Sequence, residues 1–273
     1  MRISDVKALI IVTLVGAGMG FMPAPARAFD ASRIIENDTS STKIFEFFYN
    51  FKREGRPQEA VEVLKYAAGI GNSAAQWKLA RIYQTGDGVQ ADHERAFEMY
   101  KEIAAQYPFA RPNTPNWQFS ADALVALGDY YKNGVSGTSI KVDVPKAQMM
   151  YTTAAMVFRH PDAQFELGRM QLLDEQYYGQ HRLGIRNLNL AYGKGHVGAE
   201  ALLGYSIFEG EHTKRDPVRG LVMLGNAKRR ANSHDLEWIS TLHDDAFAIA
   251  SPEQRTKAFE LLEASASPSP LTQ

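Results

Sequence analysis

Apolar and small residues recur along this chain at helical spacing, and one pattern returns several times. Ala75, Leu79, Ala80, Ile82 and Tyr83 are followed by Gly86-Asp87-Gly88-Val89, then by Asp92, Ala96, Tyr100, Ile103 and Ala104. A second copy reads Ala123, Leu127, Gly128, Tyr130, Tyr131 and Gly134, later Asp143, Ala147, Tyr151, Ala154 and Ala155. A third keeps Ala163, Leu167, Gly168, Gly184, Leu188 and Ala191. A fourth keeps Ala199, Leu203, Gly204, Gly210, Asp216, Gly220, Leu224 and Ala227. The leucine anchors at 79, 127, 167 and 203 are spaced by 48, 40 and 36 residues. Upstream, Ala60, Leu64 and Ala67 behind Ile44, Phe47, Phe48 and Phe51 form a further unit. Ala258, Leu262 and Ser265 behind Trp238, Ile239 and Leu242 keep the same offsets as a degenerate sixth.

Apolar or small residues at i, i+4 and i+7 make one stripe of a helix, and Ala or Gly in that stripe lets a second helix approach closely. Each unit therefore predicts two antiparallel helices. Such a pair cannot enclose its own apolar face, so neighbours must stack and share it. The predicted fold is all-α, a right-handed α-solenoid of helix-turn-helix repeats over residues 43–264, behind a flexible segment at 29–42 and ahead of a disordered tail at 265–273. Glycines at 86, 88, 134 and 210 fall where first helices should stop, and Asp92, Asp143 and Asp216 fall where second helices should begin, as N-caps. The third unit has Asp174 where the loop glycine belongs and no Asp before Gly184, so regular curvature is not expected between 170 and 190.

The order Leu-Gly/Ala, Tyr, Gly, Val, Asp, Ala, Tyr from Leu79 to Tyr100, repeated around Leu127 and Leu203, resembles Sel1-like repeats, relatives of tetratricopeptide repeats with a longer inter-helix loop. The likeness covers about Lys43 to Ala231. The stretch from Ile44-Phe45-Glu46-Phe47-Phe48 to Arg53-Glu54-Gly55, with Gln76-Trp77-Lys78-Leu79-Ala80, further resembles the ExoR family of periplasmic negative regulators of exopolysaccharide synthesis in rhizobia and their relatives. That resemblance implies a protein that binds the periplasmic domain of a membrane sensor histidine kinase and holds it inactive. It also implies a periplasmic protease as a second partner, which removes the inhibitor.

The first residues carry separate information. Arg2 and Lys7 precede an uncharged run from Ala8 to Phe21, and Ala24-Pro25-Ala26 and Ala26-Arg27-Ala28 both offer small-residue cleavage sites. This predicts a signal peptide, residues 1–28, cut after Ala28, and a periplasmic location if the host is Gram-negative. The run is too short for a membrane span, since 14 residues at ~1.5 Å each fall short of a ~30 Å hydrocarbon core.

Composition narrows the function classes. Of 273 residues, 30 are Lys or Arg and 31 are Asp or Glu, so no global positive field draws the chain to nucleic acid. With no cysteine, disulfide frameworks, Cys-ligated zinc and thiol nucleophiles are excluded. Seven histidines are scattered without a metal-binding spacing, and they are expected mainly as solvated surface groups. Gly193-Lys194-Gly195-His196-Val197-Gly198 fits a dinucleotide-loop expression but follows a helix, so it is expected to be an inter-helix turn. Asp244-Asp245 and the pair Glu209 and Glu211 are the carboxylates a hydrolase would need, but adjacent acids on a helix diverge and the glutamates fall in a polar inter-helix turn. Lys228-Arg229-Arg230 is expected to complement a helix C-terminus. The recurring Tyr83, Tyr100, Tyr130, Tyr131 and Tyr151 are expected in the core.

The chemistry-bearing segment is Tyr107 to Phe119, where three prolines argue against helix and aromatics flank an arginine, the residue types enriched at interface hot spots. Tyr107, Phe109, Arg111, Trp117 and Phe119 are the candidate partner-binding residues, with loops 135–142 and 174–182 as further contacts. The expectation is a non-enzymatic regulator with no metal and no cofactor that binds protein, not nucleic acid or membrane. A cell-envelope scaffold or glycan-binding accessory protein is the alternative, and a glycosidase is the enzyme-class rival.

Overall fold

The computed structural model describes residues 29–109, 111–173 and 179–266; the predicted signal peptide, Asp174 and most of the predicted tail lie outside these. Among the described residues there are twelve α-helices and no strand. They follow in pairs: α1 (Ser41–Arg53) and α2 (Pro57–Gly69), α3 (Ser73–Thr85) and α4 (His93–Ala105), α5 (Pro115–Asn133) and α6 (Val144–Met156), α7 (Pro161–Leu173) and α8 (His181–Tyr192), α9 (Val197–Glu209) and α10 (Pro217–Arg230). The chain closes with α11 (Leu236–Ile249) and α12 (Pro252–Ala266).

The repeat pattern sets this geometry directly. Leu79, Leu127, Leu167 and Leu203 are all buried in the first helices, and each is followed by a buried small residue, of which Gly128, Gly168 and Gly204 lie against the second helix of their pair. The matching positions on the second helices, Ala96, Ala147, Gly184 and Gly220, are buried too. Gly86 and Gly210 end α3 and α9 in the left-handed conformation, with φ of 74° and 79°. Asp92, Asp143 and Asp216 accept from the backbone N–H three residues on, at 2.9, 3.1 and 3.1 Å. Each cap contributes about 1 kcal/mol. The same aspartates donate their own N–H across the turn to the carbonyls of Tyr83, Tyr131 and Ile207. One local design thus closes three of the inter-helix loops.

Four of the five recurring tyrosines, Tyr83, Tyr100, Tyr130 and Tyr151, are core residues as expected, whereas Tyr131 is half-buried at its edge. The last unit departs from the pattern. Both α11 and α12 pack on α10, with Leu262 of α12 over Gly225, so the end of the stack is covered from two sides. Segment 29–42, expected to be flexible, carries a 3-10 turn at Ala31–Arg33; Ile35 is buried and Phe29 meets Phe51 edge-on at 5.1 Å. Its apolar residues close the exposed end of the first pair, as a terminal unit of a stack requires. No described helix is long and apolar enough to cross a membrane.

One apolar core runs from Ile35 to Met170, and a separate cluster begins with Phe165 and Leu188. At the junction the packing turns polar. Glu166 of α7 accepts from Lys132 of α5 at 2.8 Å and from Arg169 at 2.9 Å. Asn187 of α8 donates to Gln171 at 2.8 Å, and Lys194 donates to Gln164 at 2.8 Å. The α8 N-terminus has Gln180 at its cap with no side-chain hydrogen bond, where the sequence lacks the Asp found in other units. A polar seam centred on α7 thus lies between the two apolar clusters.

Candidate partner-binding surface

The segment from Tyr107 to Phe119 is not one irregular loop. Tyr107–Phe109 forms a 3-10 turn, and α5 begins at Pro115, with Thr114 capping the N–H of Trp117 at 3.4 Å. Proline is favoured at the first helical position because its missing N–H would have had no intrahelical partner. Trp117 and Phe119 consequently sit in the first turns of a helix. Trp117 packs on Phe158 with ring centroids 4.3 Å apart, and Phe119 stacks on Trp77 at 5.4 Å. Phe109 is 87% exposed and Arg111 is exposed, so the connection projects one aromatic and one guanidinium to solvent. The side chain of Tyr107 and residue 110 lie outside the described residues.

Beside this connection a groove of about 340 Å³ runs along the first helices α3 and α5 to the start of α7. Trp77 and Arg81 form one wall, with the Arg81 guanidinium 5.0 Å from the Trp77 ring centroid. Asp122, Asp129, His160 and Asp162 bring carboxylates and an imidazole to the other. His160 is buried and bonds Asp122 at 3.0 Å; Asp122 also accepts from Gln118 at 2.9 Å. Asp129 accepts from the Tyr151 hydroxyl at 2.6 Å, and burial raises its pKa despite that bond. Glu166, one turn beyond Asp162, is held below the usual carboxylate range: burial alone would raise it, and Arg169 and Lys132 outweigh burial. Phe119 links the two features, since its ring rests on the tryptophan that walls the groove.

The other sequence candidates fall elsewhere. Loop 135–142 folds back: Ile140 is buried, and Ser139 donates to Glu94 at 2.8 Å. In loop 174–182, residues 174–178 lie outside the described set. Gly193 to His196 form the turn between α8 and α9, as expected, with Val197 and Gly198 already in α9, and His196 caps α9 by accepting from the Ala199 N–H at 3.1 Å. Asp244 is paired with Lys228 at 2.8 Å.

The expectation of solvated histidines holds for His212 and His234, which are exposed, and is corrected for the other five, which are buried or half-buried. His160 is buried, His196 stacks on Phe165 at 4.3 Å, His181 and His212 stack at 3.8 Å, and His93 bonds the Tyr130 hydroxyl at 3.2 Å. The basic run at the end of α10 does more than complement a helix terminus. Arg230 pairs with the buried Glu200 at 2.9 Å and donates to the Gly195 carbonyl at 2.7 Å, tying α10 to the start of α9. Sequence reasoning missed this groove because its residues come from three units, and a repeat pattern reports only the positions that recur.

Comparison with known proteins agrees with this architecture. The Sel1 repeat model matches residues 73–107, 121–156, 161–196 and 197–227, and the boundaries follow the helix pairs. An exopolysaccharide production negative regulator of Rhizobium leguminosarum bv. viciae is 33% identical over 240 residues, 88% of each chain. The chain belongs to the Sel1 repeat family and, within it, to the exopolysaccharide production negative regulators. Another of that name, from Rhizobium meliloti (strain 1021), is 32% identical over 96% of each chain. Among solved structures, a Sel1 repeat protein from Oxalobacter formigenes superposes with a TM-score of 0.58 at 19% identity, over 82% of this chain and 87% of that one. That likeness concerns the fold. A Sel1 array thus carries the groove along α3, α5 and α7.

Proposed function

We propose that this protein is an exported, non-enzymatic negative regulator of exopolysaccharide production. It binds the periplasmic domain of a membrane sensor histidine kinase and holds the kinase in its inactive state. The observation that carries the reading is identity of about a third along nearly the whole chain to two proteins named for negative regulation of exopolysaccharide production. The stacked array supports binding as the mode of action, because Sel1 repeats present an extended surface built from several units. Phe109, Arg111 and the Trp77 groove supply an aromatic and a guanidinium beside a polar, acidic wall, suited to a mixed apolar and basic patch on a partner.

The mechanism is thermodynamic. A ligand that binds the inactive conformation of the kinase better than the active one shifts the population toward inactive, by no more than its differential affinity. Signal output then follows the concentration of the inhibitor, and its removal by a periplasmic protease releases the kinase. The signal peptide expected at residues 1–28 would deliver the chain to the compartment where that domain lies.

Deleting the gene tests the reading. A regulator predicts a rise in exopolysaccharide and switching of a two-component regulon, restored by the full chain and not by one lacking residues 1–28. A glycosidase predicts instead that single carboxylate substitutions abolish complementation while leaving partner capture intact.

A further inference from the structure

On the side of the stack formed by the second helices, α6 and α8 stand apart and leave a groove of about 720 Å³ floored by α7. Its floor is Leu167 with the buried amides of Gln164 and Gln171. Its rims carry exposed apolar side chains: Met156 is 74% exposed, Leu183 47% and Leu190 44%. Scattered singly such residues mean little, but here they face one concavity.

Among the described residues the charges around the groove have one sign: Arg159, Arg186 and Lys194 line it, and no carboxylate does. Arg159 and Arg186 are exposed, and neither makes an ion pair among the described residues. Lys194 donates to Gln164 and to the Arg159 carbonyl, contacts that place its charge at the rim without neutralising it. Arg159 is held in a left-handed conformation, φ 55°, an unusual one for a non-glycine residue, and that conformation sets its carbonyl toward Lys194. On the neighbouring second helices several cations are matched, since Lys101 has Glu98, Lys65 has Glu62 and Lys146 has Asp143, whereas Arg219 and Arg229 of α10 have no ion pair among the described residues. The array also seats a helix on its own second-helix side, since α12 packs on α10 with Leu262 over Gly225.

We infer that the α6–α8 groove is a second protein-binding surface, which takes an acidic amphipathic helix of a partner, its apolar side chains on Met156, Leu183 and Leu190 and its carboxylates on Arg159, Arg186 and Lys194. This is a groove mode of recognition, with apolar anchors giving affinity and rim charges giving selectivity. It is independent of the surface near Trp77, which lies on the first helices and carries mainly acidic groups.

The test uses the mature chain from Phe29 and three fluorescent 16-residue peptides sharing one leucine stripe, with Glu, Gln or Lys on the remaining positions, read by anisotropy. A fourth probe is an oligoglucuronate, which carries the charge without the apolar anchors. The Glu peptide should bind, weaken as salt rises, and lose about tenfold or more in affinity in Arg186→Glu and again in Leu190→Asn. Both positions are exposed, so neither variant should disturb the fold, and Lys101→Glu on α4 should leave binding as it was. Equal binding of the Glu and Lys peptides, or affinity untouched by both groove variants, would overturn the inference. So would tighter binding of the oligoglucuronate that ignores Leu190→Asn, which would make the groove a glycan site.

Discussion

Gly220 of α10 lies against the backbone of Gly204 on α9 so closely that a Cβ on Gly220 would stand 2.7 Å from the Gly204 carbonyl oxygen. The equivalent pair one unit earlier, Gly168 and Gly184, is as intimate, with each Cβ position 3.0 Å from the other's carbonyl. Backbone contact of this kind holds two helices at a spacing that no side chain permits.

The first prediction concerns that contact. Gly220→Ala should destabilise the chain by about 1–3 kcal/mol, because the intruding methyl meets backbone that cannot move independently. Gly69→Ala, at the end of α2, has no atom within 4 Å of the new methyl and should be neutral or stabilising by up to about 1 kcal/mol. Urea unfolding of the two variants separates them; equal losses would mean that the close approach is not what holds α9 on α10.

Arg230→Ala should cost about 1–3 kcal/mol near neutral pH, because it leaves the buried Glu200 carboxylate without its cation. Burial already raises the Glu200 pKa above its ordinary value, against the pull of Arg230. A raised folded pKa favours the fold below the unfolded value and loses that benefit as pH climbs through the folded value. The deficit of Arg230→Ala should therefore be smaller at pH 4.5 than at pH 7. A deficit that does not change with pH would assign the loss to packing of the arginine stem.

His196 gives the opposite sign. Burial depresses its pKa, despite the neighbouring Asp162 and Asp235 carboxylates and with His160 acting in the same direction as burial. Its Nδ1 must stay unprotonated to accept the Ala199 N–H, which leaves Nε2 to carry the hydrogen facing Asp162 at 3.6 Å. A depressed folded pKa supplies stability above the unfolded value of about 6.5, lost as pH falls through the folded value. His196→Asn keeps an N-cap acceptor and removes the titration. Its stability should vary less than wild type between pH 7.5 and 5.5 in a urea series, and an unchanged slope would exclude His196 as the source.

On the candidate surface, exposure divides the roles. Phe119→Ala removes a ring stacked on Trp77 and should destabilise by about 3 kcal/mol. Phe109→Ala and Arg111→Ala touch solvent-exposed side chains and should leave stability within about 0.5 kcal/mol while weakening partner binding. Matched thermal melts and binding titrations distinguish the two; a large stability loss in Phe109→Ala would remove it from the surface.

The fold was legible because stacking imposes the same demand in every unit. Leu79, Leu127, Leu167 and Leu203 recur since each fills the same place, and Asp92, Asp143 and Asp216 recur since each caps the same turn. What does not recur was harder to read. Pro115 looked like a helix breaker, yet at a first helical position it starts α5 and carries Trp117 and Phe119 inward. The partners of His160 and Glu166 come from the preceding unit and that of Arg230 from the other helix of its own unit, each thirty residues or more away, and no local pattern encodes such pairings. The α6–α8 groove is a space between helices, so it becomes visible only when both walls are in place.

The account rests on restraint of a kinase by binding. The direct measurement is autophosphorylation of the full-length sensor kinase, reconstituted in proteoliposomes with its periplasmic domain accessible, as the mature chain from Phe29 is titrated in. The account predicts a saturable fall in the rate, shifted to higher concentration by Phe109→Ala with Arg111→Ala. A rate unchanged at saturating protein, with the reconstituted kinase otherwise active, would contradict it.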